Sequence, residues 1–367
     1  MGGILTTNQF PVNGRTVLVT GGSSGLGFSA AKQLAEKGAN VVIVARTKTK
    51  LQEAIQELKK AALSATQRFH YIPADVTTPE DCSRVISETT AWNNGSPPEI
   101  VWCCSGSAHP TLFIDTPVDK FQTMMDSNYF SSVYMAHAIL NLWLRPSPSS
   151  SSAASEAPSP SPVQKQEIGP SRHLIFTASF VSFFSFAGFT PYSPSKAAIR
   201  SLSDSLSQEM NLYAGAYPTV QTVKIHTVFP ATMPTRSLDD ENLVKSDLTK
   251  SLEEDDIILS PDECARRAIL GLESGQELVT TSVIIRAVMA ASLGGSRRFA
   301  GGLIRGLADT VLAWVVVVVM VFVRWDMDRK VRAWGRRFGA SGKKMLPSIS
   351  AGGDGQATED DTGKLSK

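Results

Sequence analysis

The 367-residue chain is 42% hydrophobic and 19% charged, and 36 Lys and Arg against 34 Asp and Glu leave a net charge of +2. That composition excludes a wholly disordered or fibrous chain, and the near balance of charge excludes a global bias toward nucleic acid. Four cysteines (Cys82, Cys103, Cys104, Cys264) and five histidines fall into no CxxC or HxxxH spacing. A reducing environment is therefore predicted, with no disulfide framework and no metal site.

Residues 1–13 lack the apolar run of a cleavable signal and read as an N-terminal extension. From Thr16 onward, short apolar runs alternate with amphipathic stretches: strands at Thr16–Thr20, Ala39–Ala45, Phe69–Pro73 and Ile100–Cys104, helices at Gly25–Lys37, Thr49–Leu63 and Pro79–Ala91. Strands separated by helices imply right-handed crossovers, and continuous apolar strands imply helices on both faces. The predicted fold class is α/β, a doubly wound parallel sheet of Rossmann type in a single domain over 14–281. One long helix is predicted over Val118–Leu144. The Ser/Pro/Ala-rich stretch 145–171 buries too little apolar surface to order itself and reads as a disordered insert. The alternation resumes with strands at His173–Ala178 and Val220–Phe229 and helices at Pro194–Tyr213 and Pro261–Glu273. The acidic stretch Ser237–Asp256 reads as a solvated helical face.

Beyond Thr281 the composition changes. Residues 282–306 read as a juxtamembrane segment, 307–325 as a transmembrane or membrane-anchoring helix, and 326–367 as a basic and then disordered tail. Leu307–Val323 holds one charge, Asp309, and is bordered by Trp325 and basic residues on both sides. Seventeen helical residues reach about 25 Å, against a hydrocarbon core of about 30 Å. An interfacial helix is the alternative.

Thr20–Gly27 (TGGSSGLG) joins the first strand to the first helix. In that position Gly21 permits a tight turn, Gly25 lets backbone amides approach a pyrophosphate, and Gly27 allows close packing of helix on sheet. Ser23 and Ser24 lie in the same turn. The second strand ends at Arg46 rather than at an acidic residue, which favours a ribose 2′-phosphate and hence NADPH. Lys50 is either a second contact to that phosphate or a solvated helix residue; Asp75 is either an adenine contact or a loop aspartate. Tyr192 and Lys196, four apart, share a helix face. An adjacent ammonium is expected to lower the pKa of the phenol, which Ser179 joins in holding a carbonyl oxygen.

Together TGGSSGLG, Asn128, Ser179, YSPSK (Tyr192–Lys196) and PATMPT (Pro230–Thr235) resemble the short-chain dehydrogenases/reductases over roughly residues 14–281. The resemblance implies that Asn128 holds a proton-relay water, that Lys196 grips the nicotinamide ribose and that Thr235 contacts the carboxamide. Gly106 would keep the close approach to the cofactor, although Cys103 stands where the family has asparagine. Within the family, the run Phe189–Glu209 is most similar to the branch that reduces the long-chain sphingoid ketone 3-ketodihydrosphingosine. That similarity implies NADPH as cofactor, a place at the endoplasmic reticulum membrane with the catalytic domain facing the cytosol, and a homodimer built on the long helices. Phe180, Phe183, Phe184, Phe186 and Phe189 read equally as an acyl passage or as core. Alternative substrates are a 3-ketoacyl-CoA or a steroid ketone, and a non-catalytic NADP-binding scaffold is the reading from a different class.

Overall fold

Among the described residues seven strands, all paired in parallel, form one sheet in the order β3-β2-β1-β4-β5-β6-β7. The computed structural model describes residues 8–144, 169–217, 220–293 and 303–338. In chain order the first half comprises β1 (Thr16–Thr20), α1 (Gly25–Glu36), β2 (Asn40–Ala45), α2 (Lys48–Lys60), β3 (Phe69–Pro73), α3 (Pro79–Trp92), β4 (Ile100–Cys103), α4 (Val118–Met124) and α5 (Ser131–Leu144). The second half comprises β5 (Arg172–Thr177), α6 (Ser193–Ala216), β6 (Val223–Phe229), α7 (Arg236–Val244), α8 (Asp247–Leu252), α9 (Pro261–Glu273), β7 (Leu278–Thr280), α10 (Val283–Leu293) and α11 (Leu303–Phe338).

The strands are apolar because both sheet faces are covered, and Val17–Val19, Val41–Val44 and Leu174–Phe176 are all fully buried. Strand order reverses between β1 and β4. An open parallel sheet leaves a crevice at such a point, outside the carboxyl ends of its strands.

Four features differ from the sequence reading. The predicted helix Val118–Leu144 is broken by a π-helical turn over Met125–Phe130. The stretch Ser237–Asp256 holds two short helices, α7 and α8, rather than one solvated face. Residues after Thr281 join the domain: Ile285 and Met289 of α10 belong to the buried core, as does Phe10 ahead of β1. Finally, among the described residues no helix is long and apolar enough to cross a membrane. Helix α11 is 36 residues long. Its uncharged stretch between Asp309 and Arg324, however, spans only 14 residues, about 21 Å at 1.5 Å per residue. The expected spanning helix over 307–325 is corrected accordingly. The insert (apart from 169–171), residues 294–302 and the tail beyond Phe338 lie outside the described residues.

A pair of nearly coplanar imidazoles, joined edge to edge, sits inside the sheet at the end opposite the crevice. His226 Nδ1 lies 2.8 Å from the Gln276 carbonyl, and His226 Nε2 lies 2.9 Å from His173 Nδ1. A carbonyl only accepts, so His226 carries its proton on Nδ1 and His173 donates from its own Nδ1. His173 Nε2 is then an unprotonated, buried atom without a partner. Burial, followed by His226, Arg15 and Lys224, holds the His173 pKa down at about 2. The unfolded imidazole takes its proton near 6.5. Stability present above pH 6.5 is therefore lost as pH falls, by up to about 1.4 kcal/mol per pH unit. We expect the melting temperature to fall from pH 6.5 to 5, and the His173→Gln variant to show a slope shallower by about one proton. Equal slopes would contradict this.

Candidate active site

Backbone geometry builds the phosphate end of the crevice. Gly21 and Gly25 adopt left-handed φ values of +67° and +55°, a region that L side chains avoid. A Cβ on Gly27 would run into the Gly21 carbonyl oxygen, so α1 starts in direct contact with the turn. A Cβ on Gly25 would meet only the Thr235 methyl at 3.6 Å. The Ser24 side chain caps none of the first-turn amides of α1. An uncapped helix start beside side-chain-free backbone suits an anionic group.

These residues open into a cavity of about 1000 Å³ that runs along the carboxyl ends of the strands. All the candidates from the sequence line it: Gly21, Ser23, Ser24, Gly25, Gly27, Arg46, Lys50, Asp75, Gly106, Asn128, Ser179, Tyr192, Lys196 and Thr235. Arg46 and Lys50 are exposed at its rim. The Asp75 carboxylate accepts from the Thr77 amide (3.1 Å) and hydroxyl (2.8 Å), which is the work of a loop aspartate. The Thr235 hydroxyl accepts from Leu238 N–H at 3.4 Å as the N-cap of α7.

The central group is Tyr192 with Lys196. Lys196 is buried, donates to the Thr177 carbonyl at 3.0 Å, and its Nζ lies 5.7 Å from the centre of the Tyr192 ring. Burial lowers its pKa to about 8. Burial also pushes the Tyr192 phenol above its ordinary value; the Glu241 carboxylate adds to that push, and a hydrogen bond with Ser179 opposes it. The expected acidification by Lys196 is thus corrected. Loss of hydration is the largest influence on the phenol, and it favours the neutral form that carries the proton.

Asn128 is fully buried in the π-helical turn. Its Nδ2 donates to the Ser107 and Met124 carbonyls (both 2.9 Å), and its Oδ1 accepts from Ser107 N–H at 3.2 Å. Both side-chain donors are spent, so Asn128 positions the 106–107 loop. A Cβ on Gly106 would strike Asn128 Oδ1 and come within 3.3 Å of Lys196 Nζ.

Several residues in the cavity wall or behind it escaped the sequence reading. The Thr20 hydroxyl oxygen accepts from the amides of Cys104 (3.2 Å) and Ser105 (3.3 Å), which ties the β4 loop to β1 despite the missing asparagine. Thr20 already stood in the glycine motif, but only structure reveals its partner strand. Glu241, Lys245 and Glu253 line the cavity itself, with Ile284 and Ile285 of α10. The phenylalanines divide: Phe180, Phe186 and Phe189 face the cavity, whereas Phe183 packs on Phe229 at 4.5 Å in the core. Cys104 lines the cavity, but burial raises its thiol to about 12, and all four cysteines are free. Burial thus favours the neutral thiol over the thiolate there.

Residues 15–154 match the family described as short chain dehydrogenase. The chain is 45% identical over 341 residues to the 3-ketodihydrosphingosine reductase ksrA of Aspergillus fumigatus, covering 91% of this chain and 88% of that protein. It is 39% identical to the 3-ketodihydrosphingosine reductase gsl-3 of Neurospora crassa, covering 92% and 87%. Among solved structures, a short-chain dehydrogenase from Sphingobium yanoikuyae in complex with NADPH superposes with a TM-score of 0.58 at 20% identity, covering 76% of this chain and 91% of that one.

Proposed function

The chain belongs to the short-chain dehydrogenase/reductase family, and from that premise we propose that it reduces 3-ketodihydrosphingosine to dihydrosphingosine with NADPH. One observation carries the reading: Ser179, Tyr192 and Lys196 converge in the cavity that begins at the glycine turn. The residues present fit a dinucleotide. Gly21, Gly25 and the uncapped start of α1 would hold its pyrophosphate, and Arg46 and Lys50 the 2′-phosphate. When bound, the reduced nicotinamide supplies the hydride.

The protein's own residues handle the oxygen. Ser179 and Tyr192 donate hydrogen bonds to the ketone oxygen, and the Tyr192 phenol passes its proton to the developing alkoxide. Lys196 keeps positive charge beside that phenol. The long apolar chain of the substrate would lie against Phe180, Phe186 and Phe189. To test the reading, 3-ketodihydrosphingosine, a 3-ketoacyl-CoA and a ketosteroid are each presented with NADPH to the full chain in detergent. The first should drive the fastest NADPH consumption; a preference for either of the others rejects it.

Cofactor choice rests on Arg46, since no carboxylate closes β2 to grip a 2′-hydroxyl. Arg46→Asp should lower the NADPH-over-NADH preference at least about tenfold, consistent with the loss of one charge-assisted contact. An unchanged ratio would contradict the assignment.

We also propose that α11 attaches the protein, without crossing, to a lipid surface at the cytosolic side of the endoplasmic reticulum. Trp314, Val315, Val318, Phe322 and Trp325 are all exposed on it, and the basic Arg329, Lys330 and Arg332 follow. Such surface is costly in water and stable at a membrane interface. The full chain should float with phosphatidylcholine/phosphatidylserine vesicles, and a Val315→Asp/Val319→Asp variant should float less. Equal flotation would overturn this.

A further inference from the structure

The cavity wall beyond Tyr192 carries charge that the ketone reduction does not use. Lys245, at the end of α7, has a side chain only 2% exposed. Its Nζ pairs with Glu253 at 2.8 Å and lies 3.9 Å from Glu241, beyond hydrogen-bond distance. Two carboxylates thus share one cation, and the short contact goes to Glu253. A hydrogen bond to the Glu241 carboxylate comes from the Ser237 hydroxyl at 3.4 Å, which is long. Glu241 is therefore the weakly satisfied carboxylate of this wall, with a side chain 18% exposed.

Its placement relative to the reacting group follows from a chain of contacts. The Tyr192 ring lies 6.1 Å from the Phe189 ring, and Lys245 Nζ lies 5.9 Å from the Phe189 ring centre. Glu241 also acts electrostatically on the phenol itself, raising its pKa. A half-buried carboxylate in surplus over its cation favours a second cation, and the cavity already holds the groups that fix a carbonyl a short distance away. The ligand that satisfies both is a ketone bearing a positive charge close to its carbonyl. A sphingoid 3-ketone has that form, with a primary amine on the carbon next to the C=O.

We infer that Glu241 is a specificity-determining residue of this cavity, and that its carboxylate binds the protonated amine of an α-amino ketone whose oxygen is held by Ser179 and Tyr192. The inference rests on the reductase reading and deepens it. The same carboxylates disfavour a coenzyme A thioester, whose phosphates would meet Glu241, Glu253 and Asp255 in the lining.

The test compares 3-ketodihydrosphingosine with its des-amino analogue, 1-hydroxyoctadecan-3-one, by NADPH consumption with the full chain in detergent micelles. Wild type should favour the amine at least about tenfold in kcat/KM, the scale of one hydrogen bond to a charged group. In Glu241→Gln that ratio should collapse to within about threefold, mainly through KM of the amine, and Glu241→Asp should restore part of it. Glu253→Gln leaves the Lys245 ammonium to Glu241 and should lower the preference, but by less than Glu241→Gln does, because the Glu241 carboxylate is still present. Equal turnover of the two ketones by wild type overturns the inference while leaving the reductase reading intact. Collapse of the ratio in Glu253→Gln as deep as in Glu241→Gln also overturns it, because Glu241 would then act only by holding Lys245. Turnover of neither ketone defeats the reductase reading and the inference with it.

Discussion

Tyr192→Phe should lower kcat for ketone reduction about a thousandfold while leaving the dissociation constant of NADPH within about threefold of wild type. The magnitude is that of a lost general acid acting on a developing alkoxide. Only one oxygen disappears, and the ring keeps its packing against Phe189. Lys196 stays tied to the Thr177 carbonyl, so the wall that would hold the nicotinamide ribose is left standing. Ser179 alone can still polarise the ketone, but its hydroxyl has too high a pKa to deliver the proton, and the residual rate reports that polarisation. Binding and chemistry therefore separate in this variant. Measuring NADPH affinity by fluorescence and kcat by absorbance on one preparation checks both halves. A kcat near wild type would remove Tyr192 from the mechanism.

The second large effect is expected at the other end of the cavity. Gly27→Ala should weaken NADPH binding by more than about tenfold. The added Cβ collides with the Gly21 carbonyl oxygen, lies 2.9 Å from the Gly21 carbonyl carbon and 3.2 Å from Cys104 Cβ. Two of these three are backbone atoms of the phosphate turn, which cannot rotate away as a side-chain tip would. Forcing extra volume into a packed site costs about 1–3 kcal/mol, and the strain falls on the turn that approaches the pyrophosphate. Gly215→Ala serves as the contrast, because its Cβ meets nothing within 4 Å. Titration of both variants with NADPH, alongside thermal melts, distinguishes a damaged turn from a generally unfolded chain. Wild-type affinity in Gly27→Ala would show that the turn does not bear on the cofactor.

The two ends of the cavity were legible in the sequence because their signals are local. A strand, a glycine turn and a helix start occupy consecutive residues at Thr16–Gly27, and Tyr192 and Lys196 are one helical turn apart. The first six strands were legible too, since burial on both faces makes the central ones β1, β2 and β4 continuous apolar runs. What escaped depends on distant partners. Strand β7 has three residues, too few for periodicity, and α10 looks like the start of a membrane segment until Ile285 and Met289 are seen in the core. The π-helical turn at Asn128 adds one residue to a helical repeat without a Gly or Pro to announce it. In Ser237–Asp256, many acidic residues disguise one buried lysine, and only the fold shows Lys245 drawing Glu241 and Glu253 inward. The phenol's pKa escapes for a related reason: the neighbouring ammonium is visible in the sequence, whereas the burial that raises the pKa is not.

The most direct measurement follows the transferred hydrogen. The detergent-solubilised full chain is given 3-ketodihydrosphingosine and NADPH carrying one deuterium at the transferable C4 position, and the product is weighed by mass spectrometry. Ketone reduction in this cavity predicts dihydrosphingosine heavier by one mass unit, formed in step with NADPH oxidation, and almost none from Tyr192→Phe. Unlabelled product, or the same yield from the variant, would contradict it.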